Sequence, residues 1–219
     1  LGADLAVSTS RGLDGTVRST IDRLAARHPV RRRSLQIETM TMVRPSDPAK
    51  AVSRLVEVVG VDRAYPLYGT PVLQGGRAYG FELLERGGVL VRQELLAQLD
   101  VAVGDDLVIG DARFTIRGVV EAEPGRRSGG FGFGTRVFAD ARDLEATGLL
   151  GFGSRATRRL LLALPEPDAE RLARDLRQAL RDDFVSVRTS RSAEDQLGRE
   201  LERAENYISL VGLVIVVLG

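Results

Sequence analysis

Apolar and polar positions along this chain change period several times, and each change marks an element. Leu5 and Val7 alternate with small or polar residues within residues 1–10, which predicts a strand. Leu13, Val17, Ile21 and Leu24 recur at helical spacing and predict an amphipathic helix of about four turns. His28-Pro29 should end it, because the residue before proline is driven out of the helical region. Leu35, Ile37 and Thr39 then alternate on one face of a strand, and Met40 and Met42 take the other. That switch predicts a bulge or a crossing between environments. Residues 44–50, with Pro45 and Pro48, read as a loop, and the nearly continuous apolar run 55–61 reads as a central buried strand.

The period is lost over residues 66–87, which are rich in Gly, Tyr and Pro. A strand over 88–91 and a short helix over 94–99 follow. Residues 106–110 and 112–121 predict a hairpin turning at Gly110-Asp111. In its second strand Phe114, Ile116 and Gly118 share one face, against Thr115, Arg117 and Val119. A strand over 136–139 and a short helix over 140–147 complete a compact β-rich stretch.

Strand and helix alternate again towards the end. Residues 158–164 form a strand, and Pro165-Glu-Pro167-Asp168 breaks it and starts a helix carrying Leu172, Leu176 and Leu180. Residues 184–188 are a strand. Beyond it Leu197, Leu201, Ala204, Ile208, Val211 and Ile215 are spaced alternately by four and three, a seam of period 3.5 that packs one helix along another. Ser192 to Asp195 can supply a capping box at its start. The run Tyr207, Ile208, Leu210, Val211, Leu213, Val214, Ile215, Val216, Val217, Leu218 is uncharged on every face. At about 13 residues it is shorter than the roughly 20 that span a bilayer. It reads either as a buried C-terminal helix or, as favoured here, as a stalk entering the membrane at the start of a transmembrane helix.

This order predicts an α+β fold: a porter-like α/β sandwich layer from residues 1–65 and 152–190, an inserted β-rich lobe over 66–151, and a stalk over 191–219. The two outer parts would share one sheet, and the chain would enter and leave on the same side.

Composition narrows the function. Of 219 residues 43% are hydrophobic and 28% charged, enough for a real core. The net charge of +1 argues against a nucleic-acid binder. With no cysteine, disulfides and thiolate metal sites are excluded. His28, the one histidine, sits at a helix end with no nucleophile in view and reads as structural. No G-x-S-x-G elbow is present. Gly129 to Gly134 is the most glycine-dense stretch, but a strand follows it and Lys50 is the only lysine, so it is no phosphate loop. Its Arg126, Arg127, Phe131 and Phe133 suggest a tip that touches cargo or a partner. Glu121 and Glu123, and Asp105-Asp106, are paired acids without a metal-ligand partner and read as solvated. No catalytic, metal or cofactor site is expected.

Several segments stand in a familiar order: LGADL at 1–5, VDRAYPLYG at 61–69, VGDDLVIG at 103–110, GVVEAEP at 118–124, DLEATGL at 143–149 and GSR at 153–155. The chain resembles the MacB-like periplasmic core domain of FtsX-like ABC transporter permeases, most closely the first extracytoplasmic domain of the YbbP type. One departure is Thr135 before Arg136, where the pattern has proline. The resemblance implies a non-catalytic domain of a cell inner-membrane protein, lying on the periplasmic side between two membrane helices. It implies ATP hydrolysis by a separate cytoplasmic ABC ATPase subunit, a second permease domain or copy, contact with the lipid bilayer, and a periplasmic esterase as a candidate partner. It further implies extraction or export of lipid-like molecules. The alternative is a regulatory module that transmits motion to an extracytoplasmic hydrolase and moves no cargo.

Overall fold

The computed structural model describes residues 2–12, 15–124, 135–151, 154–181 and 184–192. Among these residues ten complete strands and three complete α-helices follow in the order β1 (Leu5–Thr9), α1 (Gly15–Ala25), β2 (Arg32–Pro45), β3 (Arg54–Val61), β4 (Val72–Leu73), β5 (Gly88–Val91), α2 (Gln93–Leu99), β6 (Asp106–Ile109), β7 (Ala112–Ala122), β8 (Thr135–Asp140), β9 (Thr157–Ala163), α3 (Glu166–Ala179) and β10 (Val185–Thr189). Short 3-10 turns cover Gln74–Gly76, Phe81–Leu83 and Asp143–Thr147.

The long strand β2 belongs to two assemblies. Its first half pairs antiparallel with β9, giving the order β10-β1-β9-β2. On one face of these strands α1 and α3 bury Ile21, Ala25, Leu172, Ala173 and Leu176 against Leu5, Val7, Leu162 and Val187. Each helix offers an apolar stripe at three- and four-residue spacing, which only a sheet or another helix can cover. The second half of β2 leaves β9 and pairs with β6, Val43 opposite Ile109 and Pro45 opposite Leu107. That pairing closes a ring, β2-β3-β8-β5-β7-β6 and back to β2. The result is a six-stranded barrel whose strands all contribute to one core, including Val43, Val56, Val91, Ile109, Phe114 and Val137. Helix α2 adds Leu95, Leu96 and Leu99 to it. Closure removes the free edges that an open β-rich lobe would expose.

Several expectations change in detail. The β2–β3 register runs unbroken from Gln36 opposite Val61 to Val43 opposite Arg54, so no bulge separates Ile37 from Met40. What changes there is the neighbour on the other edge, β9 giving way to β6. A bulge lies instead in β7: Val89 pairs with Ile116 but Leu90 with Gly118, leaving Arg117 as the extra residue. Val119 therefore joins Phe114 and Ile116 in the barrel core, rather than facing away from them. Helix α1 ends at Ala25, before His28-Pro29, and has about three turns.

The helix after β10 starts earlier than expected. Ser190–Ser192 are already helical. The Thr189 hydroxyl accepts the Ser192 N–H at 3.2 Å, and Ser192 Oγ accepts the Thr189 N–H at 2.9 Å. This is a reciprocal capping box three residues upstream of the expected one. The stalk seam and the apolar run fall within 193–219, outside the described residues. Among the described residues no helix is long and apolar enough to cross a membrane.

Candidate functional site

The face of β2 opposite the helices carries Ser34, Gln36, Glu38, Met40 and Met42 in one row, because alternate residues of a strand share a face. In the adjoining rows stand Glu57 on β3, Arg136 on β8, and Arg159 and Leu161 on β9. The segment Tyr65–Tyr68, with a cis Tyr65-Pro66 bond, arches over them. Together with Gly2, Glu123 and Pro124 these residues enclose a cleft of about 320 Å³.

Two devices hold the arch. The Arg32 guanidinium donates to the carbonyls of Ala64 at 2.8 Å, Pro66 at 3.1 Å and Leu67 at 2.8 Å. Asp4 Oδ2 accepts the Tyr68 hydroxyl and, at 3.0 Å, the Leu164 N–H. The arch ends at Gly69, at φ +69°, where a Cβ would lie 2.6 Å from Pro124 Cβ. Glycine is what lets the chain turn there and approach so closely.

The floor is a network of charges. Arg136 Nε meets Glu57 Oε2 at 2.6 Å, its Nη1 meets Glu123 Oε2 at 3.1 Å, and its Nη2 lies 3.6 Å from Glu38 Oε1. Arg159 Nη2 meets Glu38 Oε2 at 3.0 Å, and Arg92 Nη2 meets Glu123 Oε1 at 2.8 Å. The Glu123 side chain is only 4% exposed, so it is not the solvated acid its neighbour Glu121 is. Burial works against the Arg136 charge, and the bond to Glu57 with the fields of Glu57, Glu123 and Glu38 more than offsets it. Burial, then the nearby Glu123 charge, pushes the Tyr65 hydroxyl up to about 12, with Arg136 acting the other way. Tyr68 is raised chiefly by its bond to Asp4. Arg159 Nε is buried without an acceptor among the described residues.

Beyond Glu57 the same face turns apolar, with Met40, Met42 and Leu55 all about half exposed. A wider depression near α2, about 560 Å³, is open, and its lysine is already paired: Lys50 Nζ lies 3.1 Å from Asp100 Oδ2. His28 lies against α3, Nδ1 3.5 Å from Asp168 Oδ1. The expected tip residues Arg126, Arg127, Phe131 and Phe133 lie outside the described residues. The cleft itself escaped sequence reasoning, since its acids and arginines are far apart in the chain; the local signal was the polar row Ser34, Gln36 and Glu38 alternating with Leu35 and Ile37.

Residues 2–179 match the MacB-like periplasmic core domain family, and the chain belongs to it. Among curated proteins it is 30% identical to the uncharacterized ABC transporter permease YbbP of Escherichia coli (strain K12), over 166 residues. The match takes in 76% of this chain and 20% of that protein, so the chain spans about a fifth of the relative's length. Among solved structures the periplasmic region of MacB from Actinobacillus actinomycetemcomitans superposes with a TM-score of 0.57 at 11% identity, covering 90% of this chain and 94% of that one. The extracellular domain of the noncanonic ABC-type transporter YknZ from Gram-positive bacteria gives 0.54 at 11% identity, covering 84% and 100%. The fold is thus a mixed, sheet-dominated α/β fold like that of the MacB periplasmic domain.

Proposed function

We propose that the chain is the extracytoplasmic domain of an inner-membrane permease, coupling ATP hydrolysis by a separate cytoplasmic ABC subunit to extraction or export of lipid-like hydrophobic molecules. The observation that carries this reading is the meeting of β1 and β10. Leu5 pairs with Thr189, and the helix at Ser190 starts beside Asp4. Segments flanking the domain on both sides would leave it together, as two membrane helices side by side would require. The family and the similarity to a permease support the same reading. In it, residues 1–65 and 152–190 form the porter-like layer, 66–151 the lobe whose barrel β2 and β3 complete, and 191–219 a stalk running into the bilayer. Arg126, Arg127, Phe131 and Phe133 would form a tip that touches cargo or a partner. A second permease domain or copy and a periplasmic esterase would be partners.

The test is the double substitution Phe131→Asp with Phe133→Asp in the full-length permease. The expected result is impaired lipid handling in cells, with pull-down of the ATPase and esterase partners intact. Unchanged lipid handling with lost partner capture would reject the cargo role and favour the regulatory module.

A further inference from the structure

The outer face of β2 changes chemistry along its length. Glu38 lies under the arch with its side chain 9% exposed. Two and four residues on, Met40 and Met42 are 46% and 50% exposed. Strand β3 matches this change in register, with Glu57 opposite Met40 and Leu55, 54% exposed, opposite Met42. From Glu38 to Met42 is about 13 Å of strand. A recessed charged cleft therefore opens onto an exposed apolar strip on the same face.

The chemistry selects the occupant. The cleft presents both signs of charge, Glu38 and Glu57 beside Arg136 and Arg159. A ligand head of one sign would meet repulsion as well as attraction there, whereas a head with both charges can satisfy both. The Arg159 side chain is 41% exposed, so its guanidinium can take an anionic oxygen beside Glu38. The Glu57 side chain is 22% exposed and can receive an ammonium. The strip is apolar, and two of its three members are methionines, whose unbranched side chains adapt to varied apolar partners. Three half-exposed side chains fall well short of the roughly 800 Å² per partner of a stable protein interface. The cleft is roofed by the arch, so a lipid head enters it only after leaving the plane of a bilayer.

We propose that this face binds one zwitterionic amphiphile at a time, its phosphate-and-ammonium head in the Glu57–Arg136–Arg159 cleft and its acyl chain along Met40, Met42 and Leu55. The inference rests on the reading that the domain handles lipid-like molecules, and gives that reading a place and a class of headgroup.

The chain has no Cys and no Trp, so Met42→Cys labelled with bimane is a single reporter. The labelled 219-residue chain is titrated, below micelle concentrations, with three probes. These are lysophosphatidylethanolamine, glycerophosphoethanolamine (head without chain) and an alkyl maltoside of equal chain length (chain without charged head). The expected result is a saturable blue shift with the lysolipid, and about tenfold or weaker affinity for the other two. Leu55→Glu and Arg159→Lys, which keeps a cation beside Glu38 but loses the guanidinium fork, should each weaken lysolipid binding by about tenfold, with circular dichroism and thermal midpoint retained. Equal affinity for lysolipid and maltoside would overturn the proposal, as would no saturable shift or an unaffected Leu55→Glu variant. A shift that follows protein concentration alone would also overturn it, by making a second copy the occupant. Binding is measured without any ATPase, so lost transport with intact binding counts against the permease reading alone. Lost binding with intact transport counts against this site alone.

Discussion

The Ser190 N–H donates to the Asp4 carbonyl at 2.9 Å, joining the end of the last described strand to the start of the first. Asp4 bonds through its N–H, its carbonyl and its Oδ2. Its own N–H donates to the Leu162 carbonyl at 3.1 Å, and its carboxylate holds Leu164 and Tyr68. One residue thus ties β1, β9, the helix after β10 and the arch over the cleft. Asp4→Ala should cost about 1.5–3 kcal/mol, the range for hydrogen bonds to a charged group. Urea unfolding should show a lower midpoint with an unchanged slope. An unmoved midpoint would mean that the arch does not depend on Asp4.

Arg136 sits among three carboxylates, two of which, Glu38 and Glu123, the fold has withdrawn from water. Arg136→Ala should destabilise by about 3 kcal/mol, because Glu57 would lose its cation, while Glu38 and Glu123 would lean on Arg159 and Arg92 alone. Arg136→Lys should recover little of the loss, since a point ammonium cannot reach all three in the geometry of a planar fork. Stability close to wild type in the lysine variant would show that charge alone suffices.

Alkaline pH should weaken the fold through Tyr65. Its folded pKa, about 12, lies above the ordinary 10.0. The stabilisation is therefore complete below pH 10 and is lost as pH rises from there through about 12, where the unfolded chain ionises and the folded one does not. Tyr68 and Tyr79 shift in the same direction and act in the same sense. Tyrosinate absorbance should rise late and together with loss of structure. Tyr65→Phe should flatten the decline, and a pH profile identical to wild type would contradict this account.

Thr189 caps the helix that leaves the sheet and also donates to Glu170 at 2.6 Å. Thr189→Ala should cost about 1 kcal/mol, typical of a lost N-cap. Amide exchange at Ser192 should speed up, since its N–H loses its acceptor. Unaltered exchange there would place the cap elsewhere.

Strand β10 is an edge strand, and its outer side is closed from within the chain. Arg177 donates to the Val187 carbonyl through Nε at 3.2 Å and Nη2 at 3.0 Å, and Ser192 engages both the N–H and the carbonyl of Thr189. Such covers block strand pairing between molecules. Arg177→Ala should raise concentration-dependent association in analytical ultracentrifugation, and a folded variant no more associated than wild type would refute the blocking role.

The sequence alone carries the elements, because each is a local pattern. The hairpin at Gly110-Asp111, the Leu172 and Leu176 face of α3 and the buried run of β3 from Val58 to Val61 stand as the periodicities indicate, while Leu55, at the start of that run, is half exposed. The family was legible too, in LGADL, YPLYG and the hairpin motif, and the geometry explains part of it: Asp4 and Tyr68 bind each other, and Gly69 gives Pro124 room. Tertiary structure alone decided the rest. Barrel closure joins Val43 to Ile109, and the cleft joins Arg136 to Glu57 and Glu38. Which strands become neighbours, and which distant charge comes to rest beside another, depends on the summed packing of the whole core. Hydrophobic periodicity reports only which way a residue faces within its own strand or helix. Glu123 shows the difference: beside Glu121 in the chain it looks like one more surface acid, and only the fold brings Arg92 and Arg136 to it.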